Sequence, residues 1–260
     1  MDLKWFGRNL KSAWHHSQST FDFIKQLHWH YSHRILSPRS FEIGFQYPEP
    51  VGRCRLIVRA NKGSDVFVQG EVFEHQYYRL PLAHAPQSIL DLGANAGFTA
   101  VYFSRIYPRA QIACVEPIES NLAVLRGNLK LNNVNATVFS SAVALSDGVA
   151  QMELQEKDCE HRVVESADVE PAGKRVQVRT QCIPTILREL GWERIGLLKV
   201  DIEGYEKTLF SGACEWVNLV DNMCIECHEG FSETDLKRIA SDFGFSKPRR
   251  LEGTWLLERD

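Results

Sequence analysis

The segment SILDLGANAGFT, residues 88–99, decides the fold. It begins as an apolar run typical of a buried strand, passes through a turn with two glycines, and changes to a helical pattern. Because glycine has no Cβ, Gly93 and Gly97 can adopt backbone conformations closed to other residues and let a ligand lie against main-chain N–H groups. The segment therefore predicts a strand, a ligand-binding turn and a helix, in that order.

The same alternation continues downstream. Apolar runs predict strands at about 88–92, 110–116, 136–140, 195–201 and 221–227, and helical patterns occupy about 98–107, 118–131, 183–190, 203–213 and 231–242. Strands that alternate with helices are typical of an α/β fold with a doubly wound, mostly parallel, Rossmann-like sheet. Runs at 243–247 and 254–258 flank a turn with Gly253 and predict a C-terminal antiparallel hairpin.

The chain before residue 50 has a different composition from the rest. Apolar residues there recur at helical spacing and predict two helices: Leu3, Phe6, Leu10 and Trp14, then Phe21, Ile24, His28, Tyr31 and Ile35. We expect a helical extension over residues 1–50, a main domain over 51–260, and an insertion at about 147–182. Packing on its own domain is favoured for the extension, although it could also cap the site or contact a membrane surface.

Composition narrows the class of protein. Of the 260 residues, 44% are hydrophobic and 24% charged, which is typical of a globular chain. Lys and Arg total 30 against 33 Asp and Glu, a balance that argues against nucleic acid as a partner. No apolar run is long enough for a membrane span, and the first residues lack the pattern of a secretory signal. The sequence therefore predicts a cytoplasmic protein with reduced cysteines.

Carboxylates follow three of the predicted strands. Glu116 closes the predicted strand within IACVEP (112–117), where it can accept hydrogen bonds from both hydroxyls of a ribose. Asp91 and Asp201 belong to two neighbouring strands, so all three acids should meet in one crevice. The glycine spacing differs from the G-x-G-x-x-G fingerprint of dinucleotide sites, and carboxylates suit a cationic nucleoside such as S-adenosylmethionine better than a pyrophosphate.

Three residues are candidates for catalysis. Asp201 and Glu203 stand two apart beyond a strand, where one could orient the cofactor and the other accept a proton, unless they only cap the following helix. His228 ends another apolar run and is a candidate general base, or a structural histidine. Cys224 and Cys227 near His228 suggest zinc, but two cysteines on one strand point to opposite faces, so no metal site is predicted.

Together, four segments resemble the FkbM family of S-adenosylmethionine-dependent methyltransferases. They are DLGANAGF (91–98), VEP (115–117), AVALSDG (142–148) and LKVDIEGYE (198–206), within a match that covers roughly residues 64–230. The resemblance implies a seven-stranded sheet ending in an antiparallel hairpin. It also implies a set of cofactor-binding residues: Glu71, Asp91, Gly93, Asn95, Gly97, Phe98, Glu116, Pro117, Ser141, Ala142 and Asp201.

The function expected from this resemblance is methylation of a hydroxyl. S-adenosylmethionine would be the donor, and the acceptor would be a small molecule, a sugar or a glycan. Two alternatives remain: a catalytically silent protein that binds a nucleoside cofactor, and a nicotinamide-dependent oxidoreductase, against which the missing third glycine of the fingerprint counts.

Overall fold

Strands and helices alternate along most of the chain in the computed structural model, which describes residues 3–32, 40–60, 62–154, 162–164, 174–212 and 214–259. The strands are β1 (Ser40–Gln46), β2 (Arg53–Arg59), β3 (Ser88–Leu92), β4 (Gln111–Val115), β5 (Ala136–Phe139), β6 (Ala142–Val143), β7 (Gly148–Leu154), β8 (Arg162–Val164), β9 (Lys174–Gln181), β10 (Leu197–Val200), β11 (Asn222–Ile225), β12 (Arg249–Arg250) and β13 (Trp255–Glu258). The helices are α1 (Leu3–His16), α2 (Thr20–Ser32), α3 (Ser64–Gln69), α4 (Phe98–Ile106), α5 (Glu119–Leu131), α6 (Ile183–Leu190), α7 (Glu206–Leu209) and α8 (Glu233–Phe243).

The central sheet has seven strands in the order β12-β13-β11-β10-β3-β4-β5. The five consecutive strands β11, β10, β3, β4 and β5 are parallel, whereas β13 runs antiparallel to β11 and β12 pairs antiparallel with β13. The α/β class, the mostly parallel sheet and the closing hairpin are therefore confirmed. β3 is the first strand of this sheet along the chain, and it lies between β10 and β4. The chain adds β4 and β5 on one side of β3 and later β10 and β11 on the other, so the winding reverses between β3 and β10, which is where ligands bind in open α/β sheets.

Apolar residues cover both faces of this sheet. On one face, Leu125 of α5 and Phe98 of α4 pack with the hairpin β1–β2. On the other, Ile186 of α6 and Leu236 of α8 pack against the same strands. A sheet buried on both faces explains why β3 and β10 are buried at every residue.

The extension forms the two predicted helices, but on the predicted apolar face of α1, Leu10 and Trp14 are 38% and 70% exposed, and the predicted apolar face of α2 is wrong. Phe21 and Ile24 are 66% and 57% exposed, whereas Asp22 and Trp29 are buried. Hydrogen bonds explain why these two residues are buried. Asp22 Oδ1 accepts from Gly44 N at 2.9 Å, and Trp29 Nε1 donates to the carbonyl oxygen of Arg59 at 2.9 Å. The side chains of Leu3 and Phe6, and Ile35 altogether, lie outside the described residues.

The hairpin β1–β2 follows α2 and is held by α5. Asn128 Oδ1 accepts from Ile57 N at 2.6 Å, and its Nδ2 donates to Ile57 O at 3.1 Å. Asn132 repeats the pattern with Arg55, at 3.2 and 2.7 Å. The amide side chains of a helix thus complete the hydrogen bonds of a strand edge. The predicted boundary at residue 50 falls within the turn of this hairpin, and the division into domains stays a prediction.

The insertion contains a second sheet. Strands β6, β9, β7 and β8 pair in that order, and β7 and β9 run antiparallel over residues 148–154 and 174–180. The alternating runs at residues 151–154 and 176–179 belong to β7 and β9. Much of the polar stretch between them lies outside the described residues.

Two predicted elements differ in length. The helix expected over 203–213 is reduced to α7, because Glu203 and Gly204 have φ angles of 55° and 98°, in the left-handed region. The first hairpin strand, expected at 243–247, is the two-residue β12, since α8 continues to Phe243 and ends at Gly244, whose φ is 71°.

Candidate active site

The turn between β3 and α4 lies against the end of β10. Gly93 has a φ of 79°, and a Cβ at this position would collide with the carbonyl oxygen of Asp201. Glycine is therefore needed here because two strand ends approach closely. Gly97, with a φ of 79°, faces Leu125 of α5 instead. It serves helix packing, and the structure does not place it on the wall of the cleft.

Glu116, at the end of β4, is held by the same turn. Its Oε2 accepts from Asn95 N at 3.0 Å, and its Oε1 accepts from Ile118 N at 2.9 Å and from Asn121 Nδ2 at 3.2 Å. Burial raises the pKa of Glu116, and these hydrogen bonds oppose the shift. A carboxylate has about four lone-pair sites, so the three donors orient Glu116 and leave room for a further hydroxyl donor.

Asp91 is joined to Asp201 through a buried lysine. Lys199 Nζ lies 3.1 Å from Asp91 Oδ1 and 3.2 Å from Asp201 Oδ2, and it donates to the carbonyl oxygen of Gly93 at 2.8 Å. Burial would lower the pKa of Lys199, but the two carboxylates outweigh it and raise the pKa above its usual range. Asp91 is fully buried and also accepts from Thr99 Oγ1, so it lies behind the cleft rather than on its wall.

These residues surround a cleft of about 1030 Å³, counting its open mouth. The structure brings most of the predicted site residues to its wall: Glu71, Gly93, Asn95, Phe98, Glu116, Pro117, Ser141, Ala142, Asp201 and Glu203. Asp91, Gly97 and His228 are not among the lining residues. Of the three acids predicted to share one crevice, Glu116 and Asp201 line the cleft. Asp91 lies behind it and is linked to Asp201 by Lys199.

His228 extends from the segment after β11 towards Asp201 and Glu203. Its Nε2 lies 3.8 Å from Asp201 Oδ1 and 3.5 Å from Glu203 Oε2. Its Nδ1 is 2.8 Å from Oε1 of Glu206, a fully buried carboxylate at the start of α7. Because a carboxylate only accepts, Glu206 places a proton on Nδ1 and aims Nε2 at the other two acids.

A family model decides what this arrangement is. The model described as "Methyltransferase FkbM domain" matches residues 91–245, more than half of the chain, and covers the cofactor turn, Glu116, Asp201 and His228. The chain belongs to the FkbM methyltransferase family. It is an S-adenosylmethionine-dependent methyltransferase, which confirms the resemblance, the enzyme class and the cofactor expected from the sequence.

Curated relatives agree with this assignment. The chain is 29% identical over 235 residues to methyltransferase sdnD of Sordaria araneosa, covering 78% of this chain and 90% of that protein. It is 25% identical over 201 residues to methyltransferase 1 of Beauveria bassiana (strain ARSEF 2860), covering 69% and 80%. Among solved structures, the precorrin-6y C5,15-methyltransferase of Geobacter metallireducens GS-15 has a TM-score of 0.43 at 13% identity, covering 75% of this chain and 88% of that one.

Four carboxylates of this FkbM methyltransferase share one side of the cleft; we call Glu71, Asp201, Glu203 and Glu226 the acidic wall. Burial, with repulsion from Asp201 and other acids, raises the pKa of Glu71 to about 7 and those of Glu203 and Glu226 to about 8. Negative charge on these three acids is therefore unfavourable without a ligand, and a cationic ligand would stabilise their charged forms. S-adenosylmethionine, with a sulfonium and an ammonium, fits such a site.

Three charged residues at the cleft or behind it could not be recognised from the sequence. Lys199 and Glu206 stand in the segment LKVDIEGYE, and Glu226 stands in the strand predicted at 221–227. A lysine inside an apolar run and single acids such as these give no signal of their partners. Arg59 was missed as well: it donates to Asn121 Oδ1 at 2.6 Å and to Asn95 Oδ1 at 3.1 Å. Arg59 lies 36 residues before Asn95, so no local sequence pattern indicates that the two side chains are in contact.

None of the helices in the described ranges is long and apolar enough to cross a membrane. The cytoplasmic location expected from the sequence stays a prediction, as do the roles of the individual site residues.

Proposed function

We propose that this methyltransferase methylates a hydroxyl oxygen of a small molecule, a sugar or a glycan. The observation that carries the proposal is the group formed by Asp201, Glu203 and His228, of which Asp201 and Glu203 line the cleft together with Glu116. An alcohol must lose its proton as its oxygen forms a bond to carbon, and this group supplies carboxylate and imidazole acceptors at the required place.

The cofactor half of the cleft is assigned to the turn and to Glu116. Glu116, oriented by Asn95 and Asn121, would bind the ribose, and Pro117, Ser141 and Ala142 would lie against the base. Glu71 and Asp201 would face the cationic end. When bound, S-adenosylmethionine supplies an activated methyl group, so the protein mainly needs to align an oxygen with it.

The acceptor half is assigned to Glu203 and His228. Burial lowers the pKa of His228, but its hydrogen bond to Glu206 and the neighbouring carboxylates outweigh this and raise it to about 9. Either residue would take the hydroxyl proton in its deprotonated form, directly or through a water molecule, because both remain partly accessible, with side chains 21% and 18% exposed. Glu206 holds the imidazole ring at Nδ1, which leaves Nε2 as the nitrogen that acts on the acceptor.

The test is methyl transfer from labelled S-adenosylmethionine to a panel of alcohols, sugars and glycans, with the product's new bond identified by NMR. We expect a methyl ether. His228→Gln should slow turnover at least about tenfold, because general base catalysis contributes this much or more, while cofactor affinity in calorimetry stays unchanged. Glu119→Gln, an exposed acid at the start of α5, is the matched control.

Transfer only to nitrogen or carbon acceptors would contradict the proposal. So would a His228→Gln enzyme that keeps full turnover together with a Glu203→Gln enzyme that does the same, since the two residues assigned to the acceptor would then be dispensable.

A further inference from the structure

Three side chains at the acceptor end present one ligand atom each to a common space. Asp201 and Glu203 offer carboxylate oxygens and His228 offers Nε2, and these atoms all lie within 4.8 Å of one another. The residues come from two different strand ends, β10 and β11, so their approach is a product of the fold and not of sequence spacing.

The separations are wrong for hydrogen bonds. His228 Nε2 is 3.5 Å from Glu203 Oε2 and 3.8 Å from Asp201 Oδ1, beyond the roughly 2.7–3.2 Å of an N–H···O bond. Ligand atoms about 2.1 Å from one divalent ion lie roughly 3.0–3.6 Å apart when they subtend 90–120° at it. The observed separations are close to that range, so a single ion could touch all three atoms.

A second observation comes from Glu206, behind the imidazole. Glu206 is fully buried, and its Oε1 contacts His228 Nδ1 at 2.8 Å, while its Oε2 has no hydrogen-bond partner. A histidine that binds a metal almost always donates its other ring N–H to such a carboxylate, which fixes the ring and strengthens the ligating nitrogen. Among the described residues, the buried Glu206 forms an ion pair with the His228 ring, and a metal beyond the ring would stabilise its charge.

We propose that Asp201, Glu203 and His228 Nε2 bind a divalent metal ion at the acceptor end of the cleft. Two carboxylates and one imidazole suit a first-row ion such as Mn²⁺ or Zn²⁺. Since Asp201 and Glu203 line the cleft, the remaining coordination positions face it and can take the oxygen of the acceptor. This site differs from the zinc site considered in the sequence, because it uses no cysteine.

The inference rests on the proposed function and refines it. A metal-bound hydroxyl has a lowered pKa, so it loses its proton more easily than a free alcohol. His228 then acts as a ligand, and the proton leaves to water or to another carboxylate of the acidic wall. The positive charge of the metal ion also offsets negative charge on the carboxylates of the acidic wall.

The experiment is direct binding of Mn²⁺ to chelator-treated protein, followed by electron paramagnetic resonance and calorimetry with S-adenosylhomocysteine present. We expect one ion per chain, with a dissociation constant of about 1 mM or tighter, the weak end of protein sites for divalent ions. Asp201→Asn, Glu203→Gln and His228→Gln should each abolish saturable binding. Glu206→Gln should weaken it by about 10–100-fold, as expected for a residue that acts through the ligand.

Glu226→Gln is the matched control, because Glu226 belongs to the acidic wall but not to the three ligands. It should weaken Mn²⁺ binding less than any of the ligand substitutions. An equal loss would show diffuse attraction by negative charge and would overturn the proposal. If a ligand variant fails to fold, broadening of the His228 ring signals by Mn²⁺ in the unaltered protein decides instead.

Absence of saturable Mn²⁺ binding to the unaltered protein would also overturn the inference, and it would mean that a proton occupies the space between the three side chains. Methyl transfer that continues undiminished after chelation would then leave the proposed O-methylation standing without a metal. Conversely, stoichiometric Mn²⁺ binding without methylation of any hydroxyl would contradict the proposed function and not the metal site.

Discussion

Lys199 is the residue that joins the two halves of the cleft. It is buried between Asp91 and Asp201 and also contacts the carbonyl oxygen of Gly93. The ammonium group of Lys199 thus links Asp91 inside β3, Asp201 at the end of β10 and the glycine turn. Asp91 therefore acts on the cofactor site through Lys199, whereas the sequence suggested a direct contact with the cofactor.

Asp91→Ala tests this role. Removing one partner of a buried ion pair leaves an uncompensated charge, so the free energy of unfolding should fall by about 3–5 kcal/mol in denaturant titration. Cofactor affinity should fall with it, because the turn loses its anchor. A large loss of affinity with unchanged stability would instead place Asp91 in direct contact with the cofactor.

We expect Glu71 to make cofactor binding dependent on pH. Burial, with repulsion from Asp201 and Glu203, raises its pKa to about 7. Below that value the carboxyl is protonated and neutral, and above it the carboxylate attracts a cation. The affinity for S-adenosylmethionine should therefore increase several-fold as the pH rises from one unit below this pKa to one unit above.

Calorimetry across this pH range checks the expectation. Glu71→Gln should reduce the slope, because its amide does not titrate. S-adenosylhomocysteine, which lacks the sulfonium charge, should show a weaker dependence than S-adenosylmethionine. An affinity that falls as pH rises would contradict the role given to Glu71.

At the scale of elements, the buried strands were the easiest to predict. The sequence located β3 and β10 to within a few residues, because each is an apolar run bounded by turn residues or charges. The glycine turn and the acid after β4 followed from the same local pattern. The hairpin β1–β2 and the sheet of the insertion were not predicted as sheets, since their pairing joins segments whose partners are not visible locally.

The surface that α2 buries could not be predicted from hydrophobic periodicity. Asp22 turns inward because Gly44 N needs an acceptor, and Trp29 because the carbonyl of Arg59 accepts its indole N–H. Similarly, the short α7 follows from the left-handed residues Glu203 and Gly204. In each case the hydrogen bonds or backbone conformation of the fold overrode the periodic pattern.

The contact between the glycine turn and the end of β10 gives a prediction at this scale. In Gly93→Ala the new Cβ meets the carbonyl oxygen of Asp201 at a φ of 79°, so we expect a loss of at least about 2 kcal/mol in stability, with reduced cofactor affinity. Gly70→Ala is the control, because no atom lies within 4 Å of its Cβ and its φ of −60° is helical.

Gly70→Ala should leave stability unchanged or raise it by up to about 1 kcal/mol, as alanine does in helices. Thermal and denaturant unfolding measure both variants. Equal stability of the two variants would show that the turn can move away from β10 with little loss of free energy of unfolding.

For the whole molecule, the relevant contact is that of the extension with the hairpin β1–β2. Trp29 is fully buried and bonds to Arg59, whose guanidinium reaches Asn95 in the cofactor turn. Trp29→Ala should therefore cost about 3–5 kcal/mol of stability. Trp14→Ala, at a residue 70% exposed, should change stability by less than about 0.5 kcal/mol.

Urea titration of these two tryptophan variants is the measurement, with cofactor affinity as a second readout. Only the Trp29 variant should lose affinity, through Arg59. Similar small effects of both substitutions would mean that the extension folds separately from the cofactor site.

The amides of Asn128 and Asn132 have a consequence for how molecules meet in solution. An open strand edge can recruit a strand from another chain, which leads to swapped dimers or fibres. Here the edge of β2 that faces α5 has its donors and acceptors occupied at Arg55 and Ile57 by side chains of the same molecule. Intermolecular β-pairing at this edge would first have to displace those amides, so the helix protects the hairpin against aggregation.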